Sequence, residues 1–166
     1  MATKTLITEA EYLGMTFDGP EPDYVDGELV ERAMPNEDHG TVQSVFCARM
    51  YPWRTQGLLF AVSELRIQTA PGHYRVVDIA VHRDRNRALP NRTPLVTVEI
   101  VSPGDKYQEL IAKLAEYKAM GVPNVWIVDP GLRALSVFDG GSLLHVEAFE
   151  LPEFGLRLTP AELFES

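Results

Sequence analysis

Apolar residues recur along this chain with two different periods, and the places where the period switches divide it into elements. The segment TEAEYLGM opens with Thr8 and Glu11 at capping-box spacing and predicts a short helix. PDYVDGELVERAM carries an Asp26-Gly27 turn between short apolar runs, which predicts a hairpin. From about Asn36 to Tyr51, Val42, Val45, Phe46 and Met50 fall at helical spacing until Pro52 stops the pattern. The period then changes to that of strands. LLFAVSELRIQ, HYRVVDIAVH and PLVTVEIVS are three β-rich runs bounded by Gly, Pro or Asn. VVDIAV and LVTVEIV are apolar on both alternating faces, as central strands covered by helices on both sides are.

DKYQELIAKLAEYKAM follows, with Tyr107, Leu110, Ile111, Leu114 and Lys118 on one stripe. Its predicted start is Asp105 with Gln108 three residues on, and its stop is Gly121 before Pro123. NVWIVDP reads as another strand, with Asp129 ending it in a turn before Pro130. RALSVF, Asp139-Gly140-Gly141 and LLHVEAF read as a hairpin. Thr159-Pro160-Ala161-Glu162 predicts a closing helix with a cap, a proline in its first turn and a capping-box Glu. The fold class that follows is α/β: a mixed central sheet flanked by helices, with a lysine-bearing helix directly after the strand of Glu99.

Composition narrows the function. The chain has 166 residues, 45% hydrophobic and 23% charged, which suits one domain over residues 1–166 with a proper core. Fifteen Lys and Arg against 24 Asp and Glu give a net charge of −9, which argues against coating nucleic acid or membrane by bulk charge. A polyanion must then be held by local positive charge or through a bridging metal. The single Cys47 excludes an intramolecular disulfide and a cysteine-based zinc site. No apolar run reaches membrane-spanning length and the first residues lack the apolar core of a signal peptide, so the expected location is the cytoplasm, with no membrane partner.

The anomaly that points to chemistry is a carboxylate inside each of the two most apolar strands, Asp78 in VVDIAV and Glu99 in LVTVEIV. An unpaired charge there costs several kcal/mol of desolvation, so something must neutralise both. One solution is a structural arginine for each. The other is a hard divalent ion shared between neighbouring strands, since two close carboxylates repel unless a cation lies between them. Lys113 and Lys106 sit on one flank of the following helix's apolar stripe, where a lysine can reach over the sheet while its stem stays packed. Metal-held carboxylates with a lysine that orients water or stabilises a pentavalent phosphate form one known solution for phosphodiester hydrolysis.

These residues carry a family resemblance. VVDIAV, VTVEIVSP and DKYQELIAKLAEYKAMGVPNVWIVDP, with YVDGELVER and His39 upstream, resemble the PD-(D/E)XK nuclease superfamily and, within it, the bacterial Uma family of restriction-endonuclease-like proteins. The resemblance implies a restriction-endonuclease-like fold and a metal-dependent endonuclease acting on DNA. It assigns Asp78 as the aspartate of the motif and Glu99 as its second acid, both holding Mg²⁺ or Mn²⁺, with the Ile100 carbonyl as a further ligand. The motif's lysine position is Val101, and its proline position is Val77; by resemblance Lys113 of the next helix supplies the amine.

Glu28 and His39 are auxiliary candidates. Arg83 and Arg85, in the basic run with Arg87 and Arg92 directly after the Asp78 strand, are with Lys106 the candidate phosphate or DNA contacts. Glu64, in AVSELRIQ, can face the site from an adjacent strand but is not counted among them, and Tyr117 and Trp126 read as core aromatics rather than base-stacking platforms. A homodimer is expected from the pairing of sites that cutting two strands favours. Two rival classes fit the same residues: a catalytically inactive nuclease-fold protein acting as a binding or regulatory partner, and an enzyme for RNA or a small phosphodiester.

Overall fold

The computed structural model describes residues 6–85 and 92–165. In chain order the elements are α1 (Glu9–Gly14), β1 (Asp23–Val25), β2 (Glu28–Val30), α2 (Glu37–Arg49), α3 (Tyr51–Thr55), β3 (Phe60–Ala70), β4 (His73–His82), β5 (Val96–Ile100) and α4 (Tyr107–Ala119). Then come β6 (Asn124–Asp129), β7 (Ala134–Asp139), β8 (Ser142–Val146), β9 (Phe149–Leu151), a 3-10 turn (Pro152–Phe154), β10 (Leu156–Leu158) and α5 (Pro160–Phe164). Among the described residues eight strands make one mixed sheet in the order β2-β1-β4-β5-β6-β7-β8, with β3 on the other edge of β4; β5 and β6 pair in parallel.

Most of the elements follow from local signals. Both capping boxes, Thr8 with Glu11 and Thr159 with Glu162, form as expected, and the Asp26-Gly27 turn closes β1 onto β2 with positive φ at both residues. Asp129 accepts from the Leu132 amide in the turn after β6. Three details differ from the periodicity. Pro52 does not end helical structure but opens the separate α3, where its missing N–H costs nothing in the first turn. LLHVEAF is not one strand: β8 stops at Val146, and Phe149–Leu151 pairs with β10 in a second small sheet. The lysine helix starts at Tyr107 with Lys106 as its cap residue, because the Asp105 carboxylate is spent on the Ser102 amide. Its stripe is rotated accordingly: Tyr107 is exposed, and the buried residues are Lys113, Leu114 and Tyr117.

Apolar side chains cover the middle strands on both sides. Val42 and Phe46 of α2 and Leu163 of α5 pack with Val96, Val98, Trp126 and Val128. Leu114 and Tyr117 of α4 pack with Val125 and Ile127. Among the described residues no helix is long and apolar enough to cross a membrane.

One feature of the sheet decides where polar chemistry can sit. β4 is paired with β3 along nearly its whole length, but its other edge changes partner: His73 and Tyr74 face β1, and Ile79 to Val81 face β5. Residues 75–78 lie in the fork between. Backbone groups left without a ladder there must be satisfied by something else, and polar side chains do it. Asp23 accepts from the Val76 amide at 2.8 Å, Lys113 donates to the Val76 carbonyl at 2.8 Å, and Gln43 donates to the Asp78 carbonyl at 2.9 Å.

Beside the fork, buried Arg75 donates to Glu116 of α4 through Nε at 2.9 Å and to Asp23 through Nη1 at 3.2 Å, and Thr69 donates to Glu116 at 2.7 Å. This network pins α4 across β3 and β4. Replacing Glu116 with Gln leaves the Arg75 guanidinium underpaired in a buried setting, so urea unfolding should show a loss of about 2–3 kcal/mol, the worth of a hydrogen bond to a charged group.

Candidate functional site

The fork opens into a cleft of about 310 Å³ whose walls include Asp78, Glu99, Lys113, His39, Glu64 and Arg32. The acids are aligned by strand register. Ser63 opposite Ile79 and Leu65 opposite Val77 bracket Glu64 against Asp78, and the antiparallel pairing of Ile79 with Val98 brings Asp78 opposite Glu99 one position on, where the ladder ends. Glu64, in the middle of β3, has φ +49°, a left-handed conformation rare for a residue with a side chain and most frequent at functional sites.

Every oxygen of the two buried carboxylates has a donor. Asp78 Oδ2 accepts from the Ile100 amide at 2.7 Å and lies 3.2 Å from His39 Nε2, while Oδ1 accepts from Arg32 Nη2 at 2.8 Å. Glu99 Oε2 accepts from Lys113 Nζ at 3.0 Å and Oε1 from the Tyr117 hydroxyl at 2.6 Å. Arg32 Nη1 reaches Glu64 Oε2 at 2.8 Å, and Gln43 donates to Glu64 Oε1 at 3.0 Å. His39 Nδ1 is buried and has no hydrogen-bond partner among the described residues.

Electrostatics divide the two acids. Burial pushes Asp78 upward, but the His39 hydrogen bond, the Lys113 charge and the Ile100 amide outweigh it and hold Asp78 below the ordinary aspartate range. For Glu99 burial wins: despite Lys113 and Tyr117 its carboxyl is pushed up to about 7, with the Asp78 charge adding to the rise. Lys113 is also raised, because the surrounding Glu99, Asp23 and Asp78 outweigh its own burial. It therefore stays an ammonium, held by two hydrogen bonds with a third N–H to spare.

The fork thus brings together Asp78, Glu99, Lys113 and His39 from the sequence expectation. Glu64 joins them from the adjacent strand β3, and the fork adds residues that the periodicity does not mark: Arg32, Gln43, Asp23 and the hydroxyl of Tyr117. Tyr117 is fully buried among core residues as expected, yet its hydroxyl belongs to the site. Trp126 is a core residue, stacked on Phe149.

Four expected residues lie elsewhere or at the rim. Glu28 opens β2 opposite Val25 and is not among the residues lining the cleft. Arg83 pairs with Glu153 and covers Phe154, and Arg85 lies over Phe60, so neither joins the cleft. The cause is strand rise: Arg83 stands five residues beyond Asp78, just past the end of β4, which carries the chain roughly 16 Å away. Arg87 falls outside the described residues. Lys106 is at the rim, exposed and paired with Glu109 at 3.0 Å.

The donor set suits one kind of metal. Among the described residues no group of three or more His, Cys, Asp and Glu is placed to hold an ion. Two carboxylates facing an open cleft are, however, what Mg²⁺ uses, since it keeps several waters and takes one or two carboxylates together with substrate phosphate. The lining supports a cation further: seven carboxylates stand there against four Lys and Arg.

Comparison with known proteins agrees with the fold. A crystal structure of a "putative nuclease belonging to DUF820" from Anabaena variabilis superposes with a TM-score of 0.79, covering 96% of this chain and 98% of that one at 23% identity, and so shares the fold. Part of a larger DrdV–DNA complex aligns over 77% of this chain and 11% of its own, with a TM-score of 0.44 and 16% identity. No curated protein matches the chain. The family model Uma2, described as "Putative restriction endonuclease", matches residues 10–165, a span that holds the fork and every residue of its polar cluster: this chain belongs to the Uma2 family.

Proposed function

We propose that the chain is a metal-dependent endonuclease that hydrolyses phosphodiester bonds in DNA. The observation that carries this reading is the convergence of Asp78, Glu99 and Lys113 in one cleft at the fork of the sheet, in a protein of the Uma2 family.

Asp78 and Glu99 would hold Mg²⁺ or Mn²⁺, which supplies Lewis acidity and a more acidic water when bound. The residues of the chain do the rest. Glu99 fixes the Lys113 ammonium at 3.0 Å, and the Val76 carbonyl fixes it at 2.8 Å, so its remaining N–H is aimed without freedom to turn away. That N–H orients the attacking water or meets the charge that builds on the phosphoryl oxygens during in-line displacement. Tyr117 holds Glu99 in place from the opposite side.

The acidic lining means that DNA affinity comes through the bridging cation rather than through a basic face. Binding without metal is therefore weak. A second reading, a nuclease-fold binding partner without catalysis, is favoured by one observation: Arg32 already neutralises Asp78.

The test is nicking of supercoiled plasmid in Mg²⁺ or Mn²⁺ compared with EDTA, for the parent and for Glu99→Gln. Cleavage by the parent that needs metal and drops at least about a hundredfold in the variant supports the enzyme; a metal ligand is worth several kcal/mol at 1.36 kcal/mol per decade. Metal-independent cleavage that both proteins share removes the reading.

A further inference from the structure

Of the donors around the two carboxylates, four are fixed. The Ile100 amide is backbone, Lys113 is also bonded to Val76, Tyr117 is fully buried, and His39 is held in the first turn of α2. Arg32 differs. It lies just beyond β2 on a long side chain lining the cleft, and its two terminal nitrogens serve different partners: Nη2 holds Asp78 Oδ1 and Nη1 holds Glu64 Oε2, both at 2.8 Å, with the Glu21 carbonyl a further acceptor of Nη1 at 3.4 Å. Glu64 is about half exposed and is turned toward the cleft by its left-handed backbone. Gln43 holds its other oxygen. Nη2 can therefore leave Asp78 while Nη1 keeps its bond to Glu64.

Resting on the reading of the cleft as a divalent-cation site, we infer that Arg32 is a displaceable counter-ion: in the metal-free protein its guanidinium occupies Asp78 Oδ1, and a divalent cation enters by displacing it onto its Glu64 tether. The buried carboxylate is then never left without a positive partner, a state that costs several kcal/mol. The tether keeps the guanidinium at the cleft edge after release. Removing this competitor makes the cation bind more tightly, because the hydrogen bond to a charged group no longer has to be broken first.

Mn²⁺ alone, counted by the electron paramagnetic resonance signal of the free ion and with no DNA present, reads this directly. Arg32→Gln should bind Mn²⁺ about tenfold more tightly than the parent, and Arg32→Lys, which keeps charge but cannot bridge two carboxylates, should gain less. Asp78→Asn should lose the site in either background.

An Arg32→Gln variant that melts like the parent but binds Mn²⁺ equally or more weakly overturns the displacement idea and leaves the metal site standing. Absence of Asp78-dependent binding in parent and variants alike overturns the metal reading and this inference with it. Should Arg32→Gln fail to fold, the parent decides: saturating Mg²⁺ should shift the Arg32 Nε–H resonance, identified by its loss in Arg32→Lys. An unmoved resonance refutes displacement.

Discussion

Asp78→Asn is expected to lower metal-supported plasmid cleavage by about a thousandfold or more while the protein stays folded. Asn keeps a side-chain oxygen for the Ile100 amide at the position where Asp78 now accepts at 2.7 Å, so the β4–β5 fork retains its hydrogen bond. What is lost is the negative charge that a hard cation needs. Several kcal/mol of transition-state stabilisation at 1.36 kcal/mol per decade gives the stated factor. The substitution also leaves Arg32 with Glu64 as its remaining carboxylate partner in the cleft, a modest loss visible as a small drop in melting temperature. Asp78→Ala is a poorer probe, because it removes the acceptor of a buried amide as well as the charge. Cleavage at the parental rate by a folded Asp78→Asn protein would separate Asp78 from the chemistry.

The second large effect is on stability. Lys113→Met should destabilise the protein by about 3–5 kcal/mol at pH 8, because Glu99 is left as a buried carboxylate whose cation is gone and the Val76 carbonyl loses its donor. For a chain of this size that is a melting-temperature drop of about 10 °C.

The pH dependence has a definite sign. Burial raises Glu99 to about 7 in the folded protein from the ordinary 4.5, so the folded state holds that proton more tightly than the unfolded chain does. The stability contributed by protonated Glu99 is present below pH 4.5. It is lost as pH rises through 7. In Lys113→Met the folded carboxyl rises further, so the loss of stability extends to higher pH and the gap from the parent narrows on acidification. Urea midpoints in EDTA at pH 6 and pH 8 give this comparison. The double substitution Lys113→Met with Glu99→Gln should recover most of the loss, because Gln can still accept from Tyr117 and carries no charge. A gap that widens in acid, or a double variant no better than the single one, would contradict the pairing.

How far the sequence leads can be traced residue by residue. Asp78, Glu99 and Lys113 were legible because each breaks an apolar pattern: an acid inside a doubly covered strand, or a lysine beside a helical stripe, needs a partner; Glu99 and Lys113 are each other's, while Asp78 is held by Arg32 and His39. The strands and the main helices follow from the same periodicity, and the family resemblance agrees with the Uma2 match.

Arg32 was not legible, because an arginine just after a hairpin reads the same whether it faces water or folds across a cleft. Glu64 depends on a positive φ that no side-chain pattern reveals. Gln43 and Asp23 matter only because β4 exchanges one neighbour for another, and that is a property of sheet topology. Tyr117 carried half its meaning in sequence: the ring belongs to the core, and only burial of Glu99 beside it turns the hydroxyl into a site group. Arg83 and Arg85 lie outside the cleft for a geometric reason, since adjacency along a strand is distance in space.

The most direct test of the central claim is anomalous diffraction from crystals grown with Mn²⁺. A peak within coordination distance of both the Asp78 and Glu99 carboxylates, with Arg32 moved off Asp78, is the predicted result. Mn²⁺ bound elsewhere, with Arg32 still on Asp78 and Lys113 still on Glu99, would show that the fork is a neutralised structural core and not a metal centre.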